Sequence, residues 1–170
     1  NFEQLLKIRH GKVLNKISLL MQERHNIIAL QDVSSGILEG IRLRLRLSPN
    51  YDILSWPGTH NYTSELVKKS GVTNIGNIFI YDKNKVHLSN AGLPGLVGTY
   101  MASDIFIGVF EYDKRRIGIA NIWFEKPTPQ ERSDILVYIN EYFNKYNIDH
   151  RIIIGNFGDI GKDEDMRKNI

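Results

Sequence analysis

Residues 151–159, Arg-Ile-Ile-Ile-Gly-Asn-Phe-Gly-Asp, constrain this chain more than any other stretch. Three successive isoleucines predict a strand that is apolar on both faces, the pattern of a strand covered on both sides within an α/β sheet. The run stops at Gly155, and the turn Gly-Asn-Phe-Gly follows at once. Open α/β folds commonly place their chemistry at the carboxyl ends of such strands, so this turn is where function is sought first.

The segments upstream support such a layered fold. Thr128-Pro-Gln-Glu131 combines a threonine cap, a proline at the first helical position and a glutamate three residues after the cap. Behind it, Ile135, Leu136, Ile139, Tyr142 and Phe143 share one face, so a helix is expected over about 129–146, feeding the isoleucine strand. Asp104–Tyr112 and Arg116–Phe124, joined by Asp113-Lys-Arg, predict a β-hairpin.

Nearer the amino-terminus, Leu5, Leu6, Ile8, Val13, Leu14, Ile17, Leu20 and Met21 keep helical spacing, with a break expected near Gly11. Ile27-Ile-Ala-Leu30 predicts a short buried strand, ended by Gln31-Asp32. Ser34 or Ser35 caps a second helix through about Leu47. Its back half, Arg42-Leu-Arg-Leu-Arg-Leu47, alternates with a period of two and fits a strand equally; the cap favours helix. Its three arginines form either a basic stripe for phosphates or a solvated face. Tyr51–Trp56 and Asn77–Tyr81 are two more strands, the first followed by a polar loop over 58–74. The order predicts a single α/β (α+β layered) domain over residues 1–170, with mixed β-sheets flanked by helices and a charged, mobile tail over 160–170.

Composition removes some functions and leaves others open. A 170-residue chain that is 42% hydrophobic supplies one sizeable core. The formal charge of +3 permits nucleic acid without requiring it. With no cysteine, disulfides and thiolate metal sites are excluded. No apolar run approaches the ~18 residues of a membrane span, and no signal peptide is expected. The histidines lack His-x-x-x-His spacing; His60, in a loop after a strand, is retained as a substrate-binding candidate. Serine-hydrolase, P-loop and Rossmann fingerprints are absent. Trp123 either stacks a base or packs in the core.

Ile152-Ile-Ile-Gly-Asn-Phe-Gly158 resembles the Ile-x-x-Gly-Asp-Phe-Asn motif of the endonuclease/exonuclease/phosphatase (DNase I-like) superfamily. Four other stretches resemble that family in order and rough spacing. Asn26–Asp32 is similar to its strand ending in Gln-Glu, and Tyr51–Ser55 to its tyrosine, two apolars, serine strand. Gly76–Lys83 is similar to the strand ending in Tyr-x-Lys, and Ile119–Trp123 to the strand bearing Asn-x-His, followed by the helix carrying Arg132. The resemblance implies a sandwich of two sheets, metal-assisted hydrolysis of phosphodiesters or phosphomonoesters, and Mg²⁺ as cofactor.

The departures from the pattern decide what the resemblance implies here. Asp32 stands where the family has its metal-binding glutamate, and Gln31 where it has the glutamine. Asn156 replaces the aspartate that aligns or deprotonates water, and Gly158 replaces the neighbouring asparagine. Trp123 replaces the histidine of Asn-x-His, leaving Asn121. The family's carboxyl-terminal Ser-Asp-His strands have no counterpart, so a sandwich lacking them, and a chain that is a fragment of something longer, are expected. The implied site is degenerate: Asn156, Asp159 and Asn121 in catalytic places, Gln31, His60 and Trp123 toward substrate, and Asp32 toward a weakly held Mg²⁺ or none. The leading expectation is a catalytically impaired domain kept for a structural or binding role. A divergent Mg²⁺-dependent phosphodiesterase acting on nucleic acid or a phosphoester is the first alternative, and a self-assembling structural protein the second. An open sheet edge covered by a homo- or hetero-oligomeric partner is also expected.

Overall fold

The computed structural model describes residues 2–55, 74–92, 105–124 and 127–156. Helix α1 (Phe2–Gln22) leads into β1 (Ile27–Ser34), α2 (Ser35–Leu45), β2 (Tyr51–Leu54) and β3 (Asn74–Asp82). Then come β4 (His87–Gly92), β5 (Ile105–Tyr112), β6 (Arg115–Trp123), α3 (Pro129–Lys145) and β7 (His150–Asn156). The strands make two sheets, an antiparallel one of order β1-β3-β2 and a mixed one of order β4-β5-β6-β7. Among the described residues only β6 and β7 run parallel, and α3 is the crossover that a parallel pair needs.

Side-chain alternation turns these sheets into four layers. Along β3, Ile78 and Ile80 point outward into a core with Leu14, Ile17, Leu38 and Ile41 of the first two helices. Between them Phe79 and Tyr81 point inward and meet Phe106 and Phe110 of β5. Ring centroids there are 5.4 Å apart for Phe79–Phe106 and 5.5 Å for both Phe79–Phe110 and Tyr81–Phe110. Tilted and edge-on pairs of this kind add about 0.5–1.5 kcal/mol each beyond the area they bury. On the far side, Ile105, Ile107, Ala120 and Ile122 pack under Ile135, Ile139 and Phe143 of α3. The stack is helix, sheet, sheet, helix.

Local chemistry fixes the helix positions. Thr128 Oγ1 accepts from the Glu131 amide at 3.2 Å while the Glu131 carboxylate accepts from the Thr128 amide at 2.8 Å, the reciprocal cap expected from the sequence. Ser34 Oγ accepts from the Ile37 amide, and the stretch that alternates with a period of two is helical as far as Leu45, two residues short of the expected end, and no strand. Leu14 of α1 sits on α2 at Gly40, where a Cβ would lie 2.5 Å from the leucine side chain. That close seat aligns the two helices.

Three expectations are corrected, and one strand is new. α1 runs unbroken through Gly11, because its buried stripe of Leu14, Ile17 and Met21 outweighs one glycine's ~1 kcal/mol penalty. β1 does not stop at Leu30 but continues through a bulge to Ser34. β4 pairs with β5 over residues that carry no apolar alternation and were assigned no element from the sequence. β7 is less deeply covered than a central strand: its burial is partial, and Ile152 is 40% exposed. Ile153 joins the α3 core and Ile154 the inter-sheet core, yet among the described residues β7 ends its sheet with β6 as sole strand neighbour. The hairpin, by contrast, turns on Asp113 and Lys114, both with positive φ (49° and 61°), as a two-residue turn matching the strand twist requires.

Candidate functional site

The polar residues singled out on β1 and β6 meet at one end of the sandwich, and a bulge brings them there. Leu30 pairs with Ile78 and Val33 with Gly76, so Gln31 and Asp32 together stand opposite Asn77. One extra residue on one strand bends it and re-aims the side chains. Asp32 carries φ 50°, the left-handed region that aspartate tolerates better than most residues. Its side chain reaches the surface while its amide donates to Asn77 Oδ1 at 3.2 Å.

Asn121 is the hub beneath the bulge. It is fully buried, and Nδ2 donates to the carbonyls of Leu30 (2.9 Å) and Ile78 (3.0 Å), the register pair at the bulge's edge. Its Oδ1 accepts from Gln31 Nε2 at 2.6 Å, and its backbone carbonyl accepts from Asn77 Nδ2 at 2.9 Å. A buried amide so satisfied holds two sheets together at a fixed offset. With both N–H groups committed, Asn121 positions its neighbours and does not present an amide to a ligand.

The carboxyl end of β7 completes this pole. Asn156 pairs with Trp123 in register, and its carbonyl accepts from the Phe124 amide at 2.9 Å. Asn156 is exposed and Trp123 half-buried. Gly155, just before it, has φ 130°, and a Cβ there would stand 1.8 Å from the Ile122 carbonyl oxygen. Only glycine lets β7 approach β6 at this point, so the backbone that sets Asn156 in place depends on it. β1 lies against both β6 and β7 across the sandwich.

The pole therefore gathers Gln31, Asp32, Asn121, Trp123 and Asn156 from three strands. His60 and Asp159 lie outside the described residues. Asn77, missed as a site residue, is buried and contacts both halves of the network. Its signal was a polar residue on the same alternation as Phe79 and Tyr81, where the core demands apolar side chains.

For a cation, the donor set at this pole is sparse. Among the described residues no three His, Cys, Asp or Glu side chains come together, and Asp32 is the pole's one carboxylate. A single carboxylate matches a Mg²⁺ that keeps most of its water, and not a caged ion. A cleft of about 510 Å³, lined by Arg24, Tyr51, Asp82 and Lys85 among others, opens at the opposite end of β1 and β3 and takes no part in this constellation.

No protein-family model and no curated protein sequence matches the chain. Its architecture does have solved counterparts. A conserved protein of unknown function from Enterococcus faecalis V583 superposes with a TM-score of 0.65 at 13% identity, over 96% of this chain and 64% of that one. An endonuclease/exonuclease/phosphatase family protein from Leptotrichia buccalis C-1013-b gives 0.58 at 13% identity, over 94% and 64%. The chain has the endonuclease/exonuclease/phosphatase fold. A third counterpart, D. rerio TDP2 complexed with a single-strand DNA product, gives a TM-score of 0.54 at 12% identity, over 82% of this chain and 49% of that one. This chain thus spans about half to two-thirds of the length of these structures. Within the endonuclease/exonuclease/phosphatase fold, the polar pole lies where β1 carries its bulge and β7 ends.

Proposed function

We propose that this is a catalytically impaired endonuclease/exonuclease/phosphatase-like domain that binds a phosphodiester-bearing ligand, single-stranded nucleic acid first among them, at the pole formed by Asp32, Trp123 and Asn156. The observation that carries the reading is the composition of that pole: one exposed carboxylate, an exposed amide at the end of β7, and a half-buried indole beside it. The Asn156 amide donates hydrogen bonds to phosphate oxygens but has no useful basicity toward water. A positioned general base contributes about 10²–10⁴ in rate, so its replacement by an amide leaves binding with little turnover. The half-buried Trp123 offers an indole face on which a base can stack, worth about 1–3 kcal/mol. A hydrated Mg²⁺, where bound, would sit on Asp32 and neutralise phosphate charge. The zebrafish TDP2 structure supports the ligand class, since it holds single-strand DNA on the same fold.

Binding of a fluorescent single-stranded oligonucleotide, measured by anisotropy with and without Mg²⁺, tests this reading. Wild type is expected to bind, and Trp123→Ala to weaken binding about tenfold or more by the loss of stacking. Equal affinity of wild type, Trp123→Ala and Asn156→Ala would remove the pole from the account.

The runner-up is a divergent Mg²⁺-dependent phosphodiesterase built on Asp32, with Asp159 as its second carboxylate. The exposure of Asp32 at a bulge, with its amide fixed on Asn77, favours it.

A further inference from the structure

The outward face of α1 is chemically unusual for a helix with water on that side. Its core stripe is Leu14, Ile17 and Met21. At about 100° per residue, Phe2, Leu5, Ile8 and Leu19 fall on the opposite half of the helix. All four are exposed, Phe2 by 77%, Leu5 by 66% and Ile8 by 52%. Arg9, Lys12 and Lys16 fall on the same half and are exposed with them. The helix has one acidic residue, Glu3, and it falls on the core-facing half. The face is thus apolar and cationic, with no carboxylate. Beside it, Leu43 of α2 and Arg46 and Leu47 just after it are exposed as well, while Arg42 of α2 is paired with Glu39 at 2.7 Å.

We propose that the outer face of α1 lies on an anionic lipid bilayer, with Leu5 and Ile8 entering the acyl boundary and Arg9, Lys12 and Lys16 on the headgroup phosphates. Charge complementarity selects this occupant: every formal charge on the face is positive. The aliphatic side chains separate a bilayer from a nucleic acid. Leucine and isoleucine gain nothing from a solvated phosphate backbone, whereas burial at the headgroup boundary removes them from water. Long cationic side chains lay their stems along the apolar surface and extend their charges to the phosphates. No helix among the described residues is long and apolar enough to cross a membrane, so α1 lies on the surface and does not span it.

Flotation of the whole chain with vesicles of phosphatidylcholine alone, or of phosphatidylcholine mixed with phosphatidylserine, tests the proposal. The chain is expected to float with the anionic vesicles only. The doubly substituted Leu5→Glu/Ile8→Glu and Lys12→Glu/Lys16→Glu variants, both at exposed positions and checked for folding by circular dichroism, are each expected to bind about tenfold less. Absence of flotation, or equal flotation with neutral vesicles, overturns it. So does loss through the lysine variant alone, the signature of a polyanion site, as does a dimer that Leu5→Glu/Ile8→Glu converts to monomer. Oligonucleotide affinity under Trp123→Ala reads the other pole and is independent of every one of these outcomes.

Discussion

Gln31 Nε2 lies 2.6 Å from Asn121 Oδ1, a hydrogen bond between sheets that joins residues 90 positions apart in sequence. It makes the bulged end of β1 part of the same rigid unit as β6. Asn121→Ala removes the acceptor for Gln31 and the donor for the Leu30 and Ile78 carbonyls in one step. Each buried polar group left unpaired costs about 1–3 kcal/mol, so a loss of roughly 3 kcal/mol is expected, measured by urea denaturation. A loss within experimental error would mean that water replaces the amide without strain.

Two glycines should respond to alanine with opposite signs. Gly155→Ala forces a Cβ onto the Ile122 carbonyl at φ 130° and is expected to cost about 3 kcal/mol or more. Gly11→Ala, at an open position inside α1, is expected to stabilise by about 0.5–1 kcal/mol. Thermal melts of both variants beside wild type check the pair.

The cap of α3 gives a smaller test. Thr128→Ala removes one half of the reciprocal hydrogen bonding with Glu131 and should cost about 1 kcal/mol. Thr128→Ser should restore most of it.

Tyrosine ionisation is expected to weaken the fold at alkaline pH. Burial raises the Tyr142 hydroxyl well above its ordinary range, with Tyr146 beside it adding to the effect. Burial, then the Asp82 charge, raises Tyr51, and burial, then the Asp52 charge, raises Tyr81. In each case the folded state favours the neutral phenol relative to the unfolded chain. Their contribution to stability is therefore complete below about pH 10, the ordinary tyrosine value, and is lost as pH rises through the folded values. Urea midpoints should hold level to about pH 10 and fall above it, and Tyr142→Phe should flatten the fall.

These tests also show which parts of the molecule local chemistry announces. The α3 cap, the hairpin turn and the Ser34 cap are set by residues within four positions of one another, and a linear reading finds them. The bulge at Gln31-Asp32 is set by pairing with Asn77, far along the chain, so nothing local marks it. The three isoleucines of β7 announced apolar neighbours on two faces, which Ile153 and Ile154 have. They did not announce its place at the end of the sheet order among the described residues, because edge or centre depends on strands elsewhere. At the site, Asn121 and Asn156 stood out as polar letters in a resemblance, whereas Asn77 is recognisable only once β3's inward face is known. The hydrogen bonds that make Asn121 a hub instead of a ligand contact appear only in three dimensions.

The central claim, a phosphodiester site that has lost its turnover, rests on Asn156 and Asp32. Plasmid nicking in Mg²⁺ by wild type, Asp32→Ala and Asn156→Asp tests it most directly. The account predicts negligible nicking by wild type, none by Asp32→Ala, and no large gain in Asn156→Asp, because Gly158 and Trp123 depart from the hydrolytic motif as well and one restored carboxylate does not rebuild the site. Robust nicking by wild type that Asp32→Ala abolishes would contradict it and establish a working metal-dependent nuclease.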